Sequence, residues 1–253
     1  SSMLQNVQIQ YPPLQSGTDG FRERVENFDP QGIERIGYNL AQRLPESSTY
    51  VIARDTRESG MEFQQALKRG IQGARRGIQV EDVGVVPTPL LSYITTGENI
   101  QGGAMITASH NPSHDNGFKF FDEQGKKVSK DFDIQPSNSD MTENATLRLS
   151  NTLRAQYISQ IKELLEQSQF QGKIAIDCAN GATYEVARDI FQPTRKGLEF
   201  ELFANTPNGQ NINQMCGATN PQFLEDIIKK GNHDLGIIFD GDGDRVVFVD
   251  EEG

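Results

Sequence analysis

The sequence predicts an α/β protein: two tandem three-layer α/β/α domains, each built on a mostly parallel, mixed sheet. Three observations carry this. Short apolar runs alternate with segments whose apolar residues recur at helical spacing. The alternation breaks over 122–150, where Asp, Ser, Asn, Lys and Thr dominate, and then restarts. A length of 253 residues suits two domains of modest size. The expected domains are therefore 1–150 and 151–253.

Regular structure is expected from about residue 29 onward. Asp29-Pro30 reads as the N-cap and first residue of a helix carrying Ile33, Ile36, Leu40 and Leu44. Tyr50–Ala53 follows as a buried strand, and Ser59 caps a helix carrying Phe63, Leu67, Ile71 and Ala74. A strand near 78–84 leads through Pro87 and Pro89 into a short helix. Two more strands follow, Gly103–Thr107 and Phe118–Phe121, the second turning at Glu123-Gln124-Gly125. Beyond the boundary comes a helix with Leu153, Tyr157, Ile161, Leu164 and Leu165, then a strand at 173–178. A turn at Gly181 enters a helix over 183–191, a strand spans 198–203, and a long loop precedes a helix over 221–230. The strand Leu235–Phe239 ends in an acidic loop before Val246–Val249.

The net charge of −11 argues against nucleic acid or an anionic membrane surface as a partner, since both need a basic footprint. No window approaches the apolar length of a membrane span, and no secretory leader is expected. With only Cys178 and Cys216, both read as packing residues, a reduced cytoplasmic setting is expected.

The sharpest motif is Asp240-Gly241-Asp242-Gly243-Asp244-Arg245 after an apolar strand. Three carboxylates at alternate positions repel one another, and a cation relieves that repulsion; hard oxygen ligands favour magnesium, manganese or calcium. An EF-hand would align Asp240, Asp242, Asp244 and Glu251, but its sixth position needs Gly where Arg245 stands, and the flanks read as strands. An aspartyl-phosphate phosphatase would use Asp240 as nucleophile, but it leaves Thr107-Ala108-Ser109-His110-Asn111-Pro112 unexplained. That second motif places Ser109 on a loop at a strand's end, exposed and able to carry phosphate or act as a nucleophile. Taken by itself, it equally suits a turn-capping serine.

Together with Gly17-Thr18-Asp19-Gly20-Phe21-Arg22, these motifs resemble the α-D-phosphohexomutase superfamily in order and spacing. Asp115–Phe121, Asp177–Tyr184, Pro207–Asn213 and Cys216–Thr219 resemble its bacterial phosphoglucosamine mutases. The resemblance implies that Ser109 is a phosphoserine and that Asp240, Asp242 and Asp244, with an oxygen on Ser109, hold one magnesium ion. It implies Lys119 as general acid/base, Arg22 and Arg245 as phosphate-binding arginines, and His110 as a hydrogen-bonding neighbour of the serine. His114 and His233 match no family motif. The implied reaction interconverts glucosamine 6-phosphate and glucosamine 1-phosphate through a bisphosphate. Glucose or mannose phosphates are the alternative substrates, and a non-catalytic phosphosugar-binding module is the alternative role. A homodimer stays open. Glu23 departs from the Gly usual in those mutases, and neither the sugar loop of the family's third domain nor the phosphate loop of its fourth occurs here. The expectation is a fragment that does not turn over by itself.

Overall fold

The computed structural model describes residues 16–17, 20–128, 148–149, 151–167, 170–191 and 197–250. The chain runs β1 (Ser16–Gly17), β2 (Gly20–Arg24), a 3-10 turn (Val25–Asn27), α1 (Pro30–Gln42), β3 (Thr49–Arg54), α2 (Gly60–Gly73), β4 (Gln79–Val85), α3 (Thr88–Thr95), β5 (Gly102–Ile106), β6 (Asp115–Asp122) and β7 (Arg148–Leu149). It continues α4 (Asn151–Gln167), β8 (Gly172–Asp177), α5 (Tyr184–Phe191), β9 (Leu198–Phe203), α6 (Gln222–Lys230), β10 (Leu235–Phe239) and β11 (Val246–Asp250).

Two sheets result, ordered β1-β2-β6-β5-β3-β4-β7 and β11-β10-β8-β9. The first is parallel over β5-β3-β4-β7 and antiparallel over β1-β2-β6-β5. The second is parallel over β10-β8-β9, with β11 antiparallel at its edge.

β3 reads as an unbroken apolar run because helices cover both its faces. Tyr50 and Ile52 pack with Ile33, Ile36, Leu67 and Ile71 of α1 and α2, whereas Val51 and Ala53 pack with Leu90, Leu91 and Ile94 of α3. In the second sheet Ile174 and Ile176 face Ala187 and Phe191 of α5, and Ala175 and Ile238 face Leu224 and Ile228 of α6. Val186 of α5 and Ile158 of α4 share the cluster of α3, so the two units meet through apolar contact.

Asp29 caps α1 as expected, its Oδ1 accepting from Gln31 N at 3.0 Å, and Pro30 opens the helix. Ser59 stands at the N-cap of α2 but does not cap it. Asn116 Nδ2 donates to its hydroxyl at 2.8 Å, because burial beside β6 offers Ser59 a tertiary partner. Leu44 falls beyond α1 yet packs against the core. The side chains of Leu153, Tyr157, Leu164 and Leu165, like Thr18, Asp19 and residues 129–147, lie outside the described residues. Strand β2 was not expected from the pattern. Its sequence Gly-Phe-Arg-Glu-Arg holds one large apolar residue, and pairing with β6 rather than alternation makes it a strand.

Candidate active site

Both motif loops leave the carboxyl ends of sheet strands, where α/β proteins place ligands. Ser109 follows β5, and the aspartate loop follows β10. Ser109 Oγ lies 3.0 Å from Asp240 Oδ2 and 3.1 Å from Asp242 Oδ1. The sequence suggested an exposed serine; the residue is only 3 % exposed, because the aspartate loop closes over it.

Lys119 reaches the same cluster from β6. Its Nζ donates to Asp242 Oδ2 at 2.6 Å and lies 3.6 Å from Asp244 Oδ2. Thr88, the first residue of α3, donates from Oγ1 to Asp242 Oδ2 at 2.6 Å and from its amide to the Asp242 carbonyl at 2.8 Å. Arg245 N donates to Asp240 Oδ1 at 3.0 Å, while the Arg245 side chain is exposed. Arg22, half-buried, pairs across from Gly117 and so shares a sheet face with Lys119. His110 is half-buried next to Ser109 in the chain. The described hydrogen bonds of the cluster thus join Ser109, Lys119, Asp240 and Asp242, with Asp244 at its rim; Arg22, His110 and the Arg245 guanidinium flank it by register and chain neighbourhood.

Two adjacent buried carboxylates cannot share one environment equally. Burial, then the charge of Asp242, pushes Asp240 up to about 6. Burial also opposes charge on Asp242, but the Lys119 ammonium and the Thr88 hydroxyl outweigh it and hold that carboxyl down at about 2.

Among the described residues, no three or more His, Cys, Asp or Glu side chains converge closely enough to hold a metal ion. Asp240 Oδ2 and Asp242 Oδ1 do converge on Ser109 Oγ, an all-oxygen set whose hardness suits magnesium. Asp244 instead turns outward, its Oδ2 also 3.8 Å from Lys127 Nζ. The residues therefore fit magnesium through two carboxylates and the serine oxygen. The loop is flanked by strands β10 and β11, which removes the EF-hand reading.

Sequence reading missed Thr88, Asp55, Arg57 and Asn213. Arg57 is fully buried and ion-paired to Asp55 through Nε–Oδ2 at 3.0 Å, just past β3. A charged pair directly after a buried strand was the available signal. Asn213 donates from Nδ2 to the carbonyls of Ser109 and Asn111 at 2.9 and 3.0 Å, which no local pattern announces. Cys178 and Cys216 are free and buried, as expected of packing residues.

A serine loop pressed against an acidic loop across two α/β/α units is the arrangement that the sequence resemblance implied. The chain belongs to the phosphoglucomutase/phosphomannomutase family: that family's alpha/beta/alpha domain I matches residues 13–146 and its alpha/beta/alpha domain II matches residues 155–253. It is similar to phosphoglucosamine mutase of Pseudomonas aeruginosa, 38 % identical over 94 % of this chain and 56 % of the relative. Phosphoglucosamine mutase of Deinococcus deserti is 37 % identical over the same shares, 94 % and 56 %. A putative phosphomannomutase of solved structure from Thermus thermophilus is 26 % identical, with a TM-score of 0.79 over 96 % of this chain and 58 % of that one. The chain thus spans somewhat over half the length of these relatives. Among the described residues, no helix is long and apolar enough to cross a membrane.

Proposed function

We propose that this chain forms the phosphoryl-accepting part of a phosphosugar mutase interconverting glucosamine 6-phosphate and glucosamine 1-phosphate, with 1–150 and 151–253 as its two domains. The observation that carries this reading is Ser109 Oγ held between Asp240 and Asp242, with the Lys119 ammonium on the far side of Asp242. The choice of glucosamine over glucose or mannose rests on the relatives named phosphoglucosamine mutase.

In this reading Ser109 Oγ takes a phosphoryl group from a hexosamine bisphosphate. The Oγ–P bond forms while one sugar O–P bond breaks, releasing a monophosphate. The return transfer places phosphate on the free hydroxyl of the other monophosphate, regenerating the bisphosphate. Lys119 gives a proton to the departing sugar oxygen and, in the return step, takes one from the sugar hydroxyl that attacks the phosphoserine. Asp242 accepts from Ser109 Oγ through Oδ1 and from Lys119 Nζ through Oδ2, so a proton lost on one side can be matched on the other. Asp240, Asp242 and an oxygen on Ser109 would hold magnesium, which would withdraw charge from the transferring phosphoryl group, and Asp244 would join them only by turning in from the rim. Arg22 and Arg245 offer bidentate forks to phosphate, and His110 hydrogen-bonds within the site.

Burial of Ser109 against two carboxylates disfavours the turn-capping reading, since a capping hydroxyl spends its bonds on its own backbone. The test is incubation with glucosamine 1,6-bisphosphate and magnesium, followed by mass spectrometry. Phosphate is expected on Ser109. Acid-stable serine phosphate elsewhere, or acyl-phosphate on Asp240, refutes the assignment.

A further inference from the structure

Ser109 has a left-handed backbone, φ 55°, in a non-glycine residue, so something must hold it there. Its amide donates to Thr107 Oγ1 at 2.9 Å, and that hydroxyl donates to Asp55 Oδ2 at 2.7 Å. Asp55 also takes Arg57 Nε at 3.0 Å and the Arg57 amide at 3.0 Å. The rest of the Arg57 guanidinium goes to the serine loop. Nη2 donates to the carbonyls of Ser109 and Asn111 at 3.1 and 3.0 Å. Nη1 donates to that of Asp115 at 3.1 Å and to that of Pro112. All five N–H donors of the fork are used, four of them on loop carbonyls. From the other unit Asn213 Nδ2 bonds the same Ser109 and Asn111 carbonyls, and the Ser109 carbonyl also lies where a Cβ on Gly241 would sit.

We infer that Asp55, Thr107, Arg57 and Asn213 are positioning residues for phosphoryl transfer: they clamp both backbone ends of Ser109 and so aim its Oγ at the aspartate loop. The inference rests on the transfer proposed above. Arg57 and Asp55 set the loop within the first unit. Asn213, on the loop between β9 and α6, makes the aim depend on the second unit, so a serine correctly placed within the first sheet is still tied to the unit that supplies the aspartates.

The test removes the Asn213 amide. Asn213 itself has φ 59°, so Asn213→Gly avoids new backbone strain. Asn213→Asp, which also tolerates that backbone but cannot donate, serves if the glycine variant fails to fold. Three readouts are taken on the chain: the rate of phosphate gain at Ser109 from glucosamine 1,6-bisphosphate, the bisphosphate concentration giving half that rate, and the backbone NMR shifts of Ser109. The expected result is a rate at least about tenfold lower, equivalent to about 1.4 kcal/mol. The half-saturating concentration should not change, and the Ser109 shifts should move while those of Ile36 and Ile52 stay. A general packing role would move the core shifts as well. Unchanged Ser109 shifts with a rate within about twofold of the parent would overturn the inference. If the parent chain itself gains no phosphate at Ser109, the proposed reaction falls, and the shifts alone decide the clamp: displaced upholds it, unchanged overturns it.

Discussion

Lys119 Nζ and Asp242 Oδ2 meet at 2.6 Å with both side chains essentially buried, one on β6 of the first sheet and the other on the loop after β10 of the second. This ion pair crosses between the units and supplies the positive charge that lets Asp240 and Asp242 lie side by side. It also draws on Asp244, 3.6 Å away, so a single ammonium faces much of the loop's acidity.

Replacing the lysine should therefore be costly. Lys119→Met leaves Asp242 buried without its cation and is expected to lower the unfolding free energy by about 3–5 kcal/mol with a chelator present. Adding Asp242→Leu should recover part of that loss. Urea unfolding of the two variants measures this, and a Lys119→Met loss below about 1 kcal/mol would show that Asp242 is solvated or paired elsewhere.

Phosphate on Ser109 should tighten magnesium binding. Phosphoserine brings about −1.5 to −2 charges beside two carboxylates and adds hard oxygen ligands, more than the Lys119 ammonium can offset. Calorimetry on phosphorylated and unphosphorylated protein is expected to differ at least about tenfold in magnesium Kd. Equal affinities would place the ion away from Ser109.

Asp177 gives a pH signature. Its carboxyl accepts from Ala179 N at 2.8 Å and Gly217 N at 2.7 Å, yet burial dominates and pushes it up to about 6. A carboxyl raised in the folded state stabilises fully below its unfolded value near 3.8 and loses that contribution as pH climbs through about 6. The loss amounts to no more than about 3 kcal/mol. Asp240 titrates in the same direction, so the informative quantity is the difference between parent and Asp177→Asn. That difference should slope between pH 4 and 6 and flatten above; a flat difference throughout would show that Asp177 ionises normally in the fold.

Two glycines should respond oppositely to alanine. A Cβ on Gly241 would overlap the Ser109 carbonyl, and it would lie 2.7 Å from Asn213 Nδ2, so Gly241→Ala must push the two loops apart. A loss of about 1–3 kcal/mol is expected. Gly32 in α1 meets nothing nearer than 3.4 Å, and Gly32→Ala should gain about 0.5–1 kcal/mol. Thermal unfolding reads both, and a neutral Gly241→Ala would show that the loops separate freely.

The sequence by itself determined the α/β class, the helices under Ile33–Leu40 and Phe63–Ile71, the buried strands, and the two motif loops. Each is a local pattern: apolar spacing, an N-cap such as Asp29, or glycines between carboxylates. The family resemblance also rested on contiguous residues and could be read without coordinates. Only the tertiary structure decided that Gly20–Arg24 is a strand, because Phe21 finds its partner in Phe118, far along the chain. It turned Ser59 from a cap into a partner of Asn116 and buried a serine that its loop sequence left exposed. It also chose Thr88, Arg57 and Asn213, whose roles depend on which carboxylate or carbonyl the fold delivers to them. A hydrogen bond needs its partner within about 3 Å, and for these residues the partner lies tens of positions away or more, where no periodicity in the sequence can point.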